Sequence, residues 1–128
     1  MIRKVLILLC LISIMVRAQD ISWVNGTWEG IGYQASVNSS WTIRFEAMIR
    51  TNSFSIAYPS LGCGGNWSLS SIDANKIEFF ETITYGKTQC VEGGTIVVTR
   101  VDGQYVTFTY FLPGTRTLDA FSTLKRVK

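Results

Sequence analysis

The chain has 128 residues, of which 47% are hydrophobic and 16% charged, and it contains no histidine. The lack of histidine removes serine triads and most proton shuttles at neutral pH from consideration. Three of the 12 Lys and Arg residues, but none of the 9 Asp and Glu residues, lie in an N-terminal segment that we expect to be removed. Nine of each then remain, so charge indicates neither a nucleic-acid partner nor an anionic membrane surface.

Residues 1–18 have the pattern of a secretory signal peptide. A basic start, MIRK, is followed by the apolar run VLILLCLISIMV and by VRA, which ends in the small residue Ala18. The run is too short for a membrane-spanning helix, and no later run approaches spanning length. Cys10 follows a leucine inside the run, where a lipoprotein anchor is not expected. We predict cleavage after Ala18, which leaves one domain at 19–128.

The sequence after residue 18 predicts an all-β fold. The segment WTIRFEAMIR at 41–50 alternates apolar and polar residues over its whole length, as a half-buried strand does. Turn-forming pairs, such as DG at 102 and PG at 113, separate similar runs. The predicted strands, β1 to β8 in chain order, are 26–37, 40–50, 53–58, 66–72, 76–85, 94–101, 104–111 and 117–126.

Eight strands joined by short loops predict an antiparallel up-and-down meander. Closure into an eight-stranded barrel leaves no sheet edge, and a β-sandwich is the alternative. The predicted β2–β3, β4–β5 and β6–β7 loops have two or three residues, whereas most loops at the other end have roughly five to eight. We expect the first end to be closed and the second to be the mouth where a ligand enters. Gly30 and Gly32 are expected to let β1 bend during closure.

Cys63 and Cys90 are the cysteines that follow the predicted signal peptide. In an exported protein, two cysteines most simply form one disulfide. Both are predicted to lie in loops at the mouth, two strands apart, where the loops can bring them together. The bridge would close a loop of about 28 residues, worth roughly 3.5 kcal/mol in the chain-entropy model. Two thiolates without histidine complete neither a zinc site nor a nucleophile–base pair, so we expect no metal or cofactor.

The motif GTW at 26–28 opens the first predicted strand and resembles the Gly-x-Trp signature of lipocalins and, less closely, of avidins. This resemblance implies a calycin-type barrel in which Trp28 packs across the closed end. It also implies that a basic residue at the end of the last strand, Arg126 or Lys125, covers Trp28. The segment VDGQY at 101–105 stands where lipocalins carry a Thr-Asp-Tyr-like turn, although its inserted residues depart from that pattern.

A second resemblance rests on YPSLGCGG at 58–65 and YGKTQCVEGG at 85–94. Together they resemble a small domain that recurs in exported bacterial proteins and beside some bacterial kinases. The resemblance covers about half of the mature chain and implies no particular activity. With the signal-peptide pattern, it indicates a secreted or periplasmic bacterial protein.

Four residues form the predicted ligand-binding rim: Tyr58, Leu61, Tyr85 and Phe111. Tyr58, Tyr85 and Phe111 end predicted strands at the mouth, and Leu61 belongs to the loop that carries Cys63. Tyrosine suits a binding rim because its ring buries area while its hydroxyl forms hydrogen bonds. In the alternative interpretation, Tyr58 and Tyr85 only plug the barrel.

Glu81 has two possible positions. It is three residues from Glu78 on one strand, so the two carboxylates face opposite sides and form no acid–base pair. If β5 buries its apolar residues, Glu81 faces inward and needs Arg44, Arg100 or a ligand as its partner. Otherwise Glu81 lies at the rim in water.

Two functions fit these features. The first is a binding barrel that takes a small apolar or aromatic molecule at the open end. The alternative is a protein-binding module that uses the same rim loops, such as an exported inhibitor of a hydrolase, for example lysozyme. A hollow interior would favour the first function and a filled interior the second. Because no catalytic constellation is present, we do not expect an enzyme.

Overall fold

The computed structural model describes residues 20–128 and confirms the all-β prediction. Eight antiparallel strands form a closed barrel in which neighbours in sequence pair with each other and β8 returns to pair with β1. The strands are β1 Gly26–Gln34, β2 Ser39–Met48, β3 Ser53–Tyr58, β4 Cys63–Asp73, β5 Lys76–Tyr85, β6 Thr95–Arg100, β7 Tyr105–Phe111 and β8 Leu118–Arg126. The predicted signal peptide at 1–18 lies outside the described residues.

No helix within residues 20–128 combines the length and the apolar character needed to cross a membrane.

Alternating side chains fill the interior of the barrel. On β2, Trp41, Ile43 and Phe45 point inward and are buried, while the polar residues between them face outward. The rings of Phe45 and Trp67 lie 4.5 Å apart between centroids, and the Trp67 and Phe108 rings are stacked at 5.9 Å. Because large aromatic rings from several strands meet on the barrel axis, the interior below the mouth is a packed core.

Two strand boundaries differ from the prediction by three residues, and the others agree to within two residues. β1 ends at Gln34, because Ala35–Val37 form a 3-10 turn that closes at Asn38 with a left-handed φ of 46°. β4 begins at Cys63 rather than at residue 66, so the adjacent glycines Gly64 and Gly65 pair within the sheet instead of bending a loop. A Cβ on Gly65 would lie 1.9 Å from the carbonyl oxygen of Thr82. Glycine therefore allows β4 and β5 to approach closely here.

The two ends of the barrel differ less in loop length than predicted. The connections at one end are 49–52, 74–75 and 101–104, and those at the other end are 35–38, 59–62, 86–94 and 112–117. The prediction of two- or three-residue loops is therefore wrong for the β2–β3 and β6–β7 connections, and the β3–β4 connection, predicted to be among the longer loops, has only four residues. The difference between the ends rests mainly on 86–94 and 112–117.

A cap of side chains and backbone closes the shorter-loop end. Trp28 is fully buried, and its indole N–H donates to the carbonyl oxygen of Val24 at 2.8 Å. The Arg126 guanidinium lies 4.3 Å from the centroid of the Trp28 ring, whereas Lys125 is exposed. The guanidinium also donates to three backbone carbonyl groups, those of Trp23, Asn25 and Gly103. A single arginine thus joins the residues before β1, the β6–β7 connection and the buried tryptophan.

Candidate functional site: a cavity at the mouth of the barrel

A cavity of about 240 Å³ opens at the end of the barrel that carries the 35–38, 59–62 and 86–94 connections. The packed aromatic core limits its depth. Its lining is mainly apolar and aromatic, with amide groups at the rim and a single charged side chain. The lining residues are Gln34, Val37, Ser39, Trp41, Tyr58, Leu61, Glu81, Gln89, Cys90, Val91 and Tyr110.

Glu81 is the charged residue of this cavity, and it is only 2% exposed. The Tyr58 hydroxyl donates to its Oε2 atom at 2.5 Å, and the Trp67 indole N–H donates to the same oxygen at 2.9 Å. Within residues 20–128, no group donates to the other oxygen, Oε1. The lone pairs of Oε1 are therefore available for a further hydrogen bond.

The structure corrects the expected surroundings of Glu81. The rim position in water is wrong, because the carboxylate is buried inside the barrel. The expected arginine partners are also wrong, because tyrosine and tryptophan donate the hydrogen bonds. Arg44 instead pairs on the outer face with Glu29 and Glu46, each at 3.1 Å. Arg100 ends β6 at the closed end and is exposed.

Burial perturbs the acid–base properties of three side chains at the cavity. Burial raises the pKa of Glu81, and the hydrogen bonds from Tyr58 and Trp67 offset part of that rise. Burial, with the nearby Glu81 charge, raises the pKa of Tyr58 well above its ordinary value. Burial, with the charges of Glu81 and Asp119, raises the pKa of Tyr110 to about 12. Both tyrosines therefore keep their protons at neutral pH, and a cation in the cavity would favour ionised Glu81.

The Tyr110 hydroxyl is buried without a hydrogen-bond partner among residues 20–128. Tyr110 lies on the inner face of β7, lines the cavity and is 7% exposed. Its ring packs so closely on Gly94 that a Cβ there would lie 2.0 Å from a ring carbon. A buried hydroxyl without a partner costs about 1–3 kcal/mol, so a ligand group that pairs with it would recover stability.

A hydrogen-bond network fixes the rim between β1 and β8. The Trp41 indole N–H donates to Oε1 of Gln34 at 3.1 Å, and the Gln34 amide donates to Asp119 at 3.0 Å. Ser36 donates to Asp119 through its backbone N–H at 3.0 Å and its hydroxyl at 2.8 Å. Burial raises the pKa of Asp119, but these hydrogen bonds outweigh it and leave the pKa lowered. The Trp41 ring lies over Gly32, where a Cβ would be 2.7 Å from the ring, so this glycine leaves space for the ring.

Two of the four predicted rim residues line the cavity, and two lie elsewhere. Tyr58 is buried in the lining and Leu61 lies at its edge. Phe111 is on the outer face of β7, where the Arg116 guanidinium lies 5.9 Å from its ring centroid. Phe111 therefore faces away from the mouth, because inward and outward side chains alternate along a strand.

Tyr85 is outside the cavity because of a bulge. Gly65 pairs with Ile83 and Gly64 pairs with Tyr85, so Thr84 is an extra residue on β5 at this register shift. The extra residue reverses the alternation, which leaves Tyr85 52% exposed with its hydroxyl beside Gly64. A single-residue bulge is not visible in a period-two sequence pattern.

The predicted disulfide between Cys63 and Cys90 is present, with a Cα–Cα distance of 6.3 Å. It joins the first residue of β4 to the 86–94 connection, which is the longest at the mouth. Cys90 lines the cavity together with its neighbours Gln89 and Val91. The bridge therefore anchors one wall of the cavity to the barrel.

Comparisons with known proteins give no match, since no family model, curated protein or solved structure is similar enough to this chain. The resemblances to lipocalins and to a bacterial exported domain therefore stay predictions from short motifs. Within residues 20–128, no three His, Cys, Asp or Glu side chains group in a way that could hold a metal ion.

Proposed function

We propose that this protein is an exported β-barrel binding protein that takes a small apolar or aromatic molecule into the cavity at its mouth. The observation that carries this proposal is a cavity of about 240 Å³ with apolar and aromatic walls and few polar groups. Small-molecule sites have this composition, in which a few polar groups fix the orientation of the ligand. An apolar cavity of about 150 Å³ accepts benzene, so the volume suits a molecule with one or two rings.

The anchoring of the cavity walls also supports binding. The disulfide holds the 86–94 connection, and the hydrogen bonds to Asp119 hold the 35–38 connection. Loops that are ordered before binding lose less entropy when a ligand arrives. The signal-peptide pattern at 1–18 and the disulfide support export to the periplasm or the medium, which we include in the proposal.

Blocking the mouth tests this function. The variant Val91→Trp places a bulky ring at the cavity lining, and Val101→Trp adds the same ring to a similarly exposed position at the opposite end. Indole, toluene and 2-phenylethanol are screened by ligand-observed NMR, and dissociation constants are then measured by calorimetry. We expect at least one probe to bind, a tenfold or greater loss in Val91→Trp, and a change below twofold in Val101→Trp. Binding of no probe, or equal loss in both variants, would refute the proposal.

A protein-binding module is the second candidate, because the core below the mouth is filled rather than hollow. In this case the rim, with Val37 and Val91 exposed, would dock on a protein such as a lysozyme or another hydrolase, and the cavity would receive one partner side chain. Inhibition assays against lysozymes test this candidate directly. Stoichiometric inhibition that Val91→Trp abolishes, without binding of any small probe, would favour it over the first.

A further inference from the structure

We propose that the ligand of the mouth cavity is a small organic cation, namely an aromatic or apolar amine whose ammonium group pairs with Glu81. This inference rests on the proposed function and specifies the chemical class of its ligand. It is carried by the charge of the lining, by the unused hydrogen-bonding atoms at the cavity, and by the aromatic walls.

The lining of the cavity contains an acidic side chain and no basic one among the described residues. Glu81 is the only charged side chain among the cavity-lining residues in the described part of the chain. The two groups that hydrogen-bond to it, from Tyr58 and Trp67, are neutral donors that share one carboxylate oxygen. A buried carboxylate is stabilised most by a cation with which it also forms a hydrogen bond. A ligand ammonium group would supply both.

The available polar atoms match an ammonium group. An ammonium has several N–H donors and no acceptor. Oε1 of Glu81 receives no hydrogen bond from residues 20–128, and the buried Tyr110 hydroxyl, which has no partner there, has oxygen lone pairs to offer. An ammonium has donors for both atoms and would stabilise ionised Glu81, whereas a carboxylate ligand would bring a second acidic group to the cavity without a cationic partner.

The walls favour the same ligand. The Trp41 and Tyr58 rings lie 5.1 Å apart between centroids and are nearly perpendicular, at 79°, so they form a corner of the cavity. Tyr110 adds a third ring to the lining. Aromatic faces attract cations, and the attraction is stronger where water is excluded. The apolar body of the amine would pack against Leu61 and the valines nearer the rim.

Three ligands of matched shape test this inference: 2-phenylethylamine, 2-phenylethanol and phenylacetate, with affinities measured by calorimetry at pH 7 and low salt. We expect the amine to bind at least tenfold more tightly than the alcohol, and phenylacetate to bind more weakly than the alcohol. In Glu81→Gln, the amine should lose at least tenfold in affinity, while the alcohol should change less than threefold. Glu46→Gln, which removes an exposed carboxylate from the outer face, should leave all three affinities unchanged.

The outcomes separate the two proposals. Equal binding of alcohol and amine by the wild-type protein would overturn the cation inference and leave the binding function standing. The cation inference is also overturned if Glu81→Gln, shown to be folded by its circular dichroism spectrum, still prefers the amine to the alcohol. If none of the three ligands and none of the neutral probes binds, both proposals fail. The wild-type comparison alone decides the inference if Glu81→Gln does not fold.

Discussion

At the scale of single residues, Glu81 shows what the alternation of a strand can and cannot predict. Of its two expected positions, the inward one beside Phe79 and Ile83, which are fully buried, is the one that the alternation of β5 gives, and the rim position in water is wrong. Its hydrogen-bond donors could not be predicted, because a bulge on β4 sets the register that places Trp67 opposite Glu81, and Tyr58 lies two strands away on β3. Local periodicity indicates which way a side chain points, whereas its partners depend on the packing of other strands.

Burial of Glu81 predicts a specific dependence of stability on pH. Because its pKa is raised in the folded state above the ordinary value of 4.5, the folded protein holds this proton more tightly than the unfolded chain. The contribution is fully present below about pH 4.5 and is lost as pH rises through the folded pKa. The unfolding free energy of the wild type minus that of Glu81→Gln, both measured by urea titration, should therefore decrease as pH rises.

Tyr58 and Trp67 donate hydrogen bonds to this carboxyl group, and the charges of Glu81 and Asp119 both act on Tyr110. Glutamine keeps an acceptor for the Tyr58 and Trp67 donors, so the variant tests charge rather than lost hydrogen bonds. A wild-type-to-variant difference that stays constant between pH 4.5 and 8 would contradict the prediction.

Removal of the Trp28 side chain should destabilise the closed end strongly. Trp28→Ala leaves a cavity beneath Arg126 and removes the hydrogen bond to Val24, and we expect a loss of about 3–5 kcal/mol. Phe121→Ala, which truncates a half-exposed ring on the outer face, should cost less than about 1 kcal/mol. Chemical unfolding of both variants gives the comparison, and an unchanged midpoint for Trp28→Ala would exclude its role in the cap.

At the scale of elements, the strand pattern was predictable and its irregularities were not. The alternation in β2 and β5 identifies those strands, because each has one face in the core and one in solvent. The predicted rim was only half correct in placement, because a bulge turned Tyr85 outward and Phe111 falls on the outer face. The positions of Gln34 at the end of β1, and of Val37 and Val91 in two connections, were not predicted to line the cavity, since no motif marks them.

The close approach of β4 and β5 at Gly65 can be tested by adding a methyl group there through a substitution to alanine. Gly65→Ala would place its Cβ against the Thr82 carbonyl oxygen, so strand pairing must shift, and we expect a loss of about 3 kcal/mol or more. At Gly103, in the β6–β7 connection, an added Cβ meets nothing within 4 Å, and Gly103→Ala should stay within about 0.5 kcal/mol of wild type. Equal thermal midpoints for the two variants would show that the strands do not need this glycine.

The disulfide should stabilise the fold and the cavity together. Replacing both Cys63 and Cys90 by alanine removes a cross-link over a sequence separation of 27, worth about 3.5 kcal/mol in the chain-entropy model. The 86–94 connection would also lose its anchor, so affinity for any mouth ligand should fall more than in a core variant at the closed end with a similar loss of stability, such as Phe54→Ala. Intact mass after thiol blocking, with and without reduction, verifies the bridge, and two free thiols in freshly purified exported protein would contradict it.

At the scale of the whole molecule, closure of the barrel follows from the number and order of the strands. An up-and-down meander of eight strands brings β8 beside β1, and their pairing removes the edges that an open sheet would expose. This is why the fold was predictable from strand count and loop length. The contrast between the ends was only partly predictable, because Arg126 and the residues before β1 form the cap, rather than short loops.

Export and cleavage of the whole chain can be tested directly. If residues 1–18 are a signal peptide, protein recovered from the periplasm or medium should start at Gln19, within a few residues, and the full-length chain should remain inside the cell. Intact mass spectrometry of both fractions measures this. A full-length chain in the exported fraction would contradict the cleavage prediction.

The position of the two ends of the described chain has a practical consequence. The Lys128 carbonyl oxygen accepts a hydrogen bond from Thr27 at 3.1 Å, and Asp20 is near enough to Arg100 to interact with its charge. Both ends therefore lie at the capped end, on the far side of the barrel from the cavity. A tag or a sensor surface attached at either end would hold the protein with its mouth facing the solution, so the binding tests above can be run on immobilised protein with the cavity unobstructed.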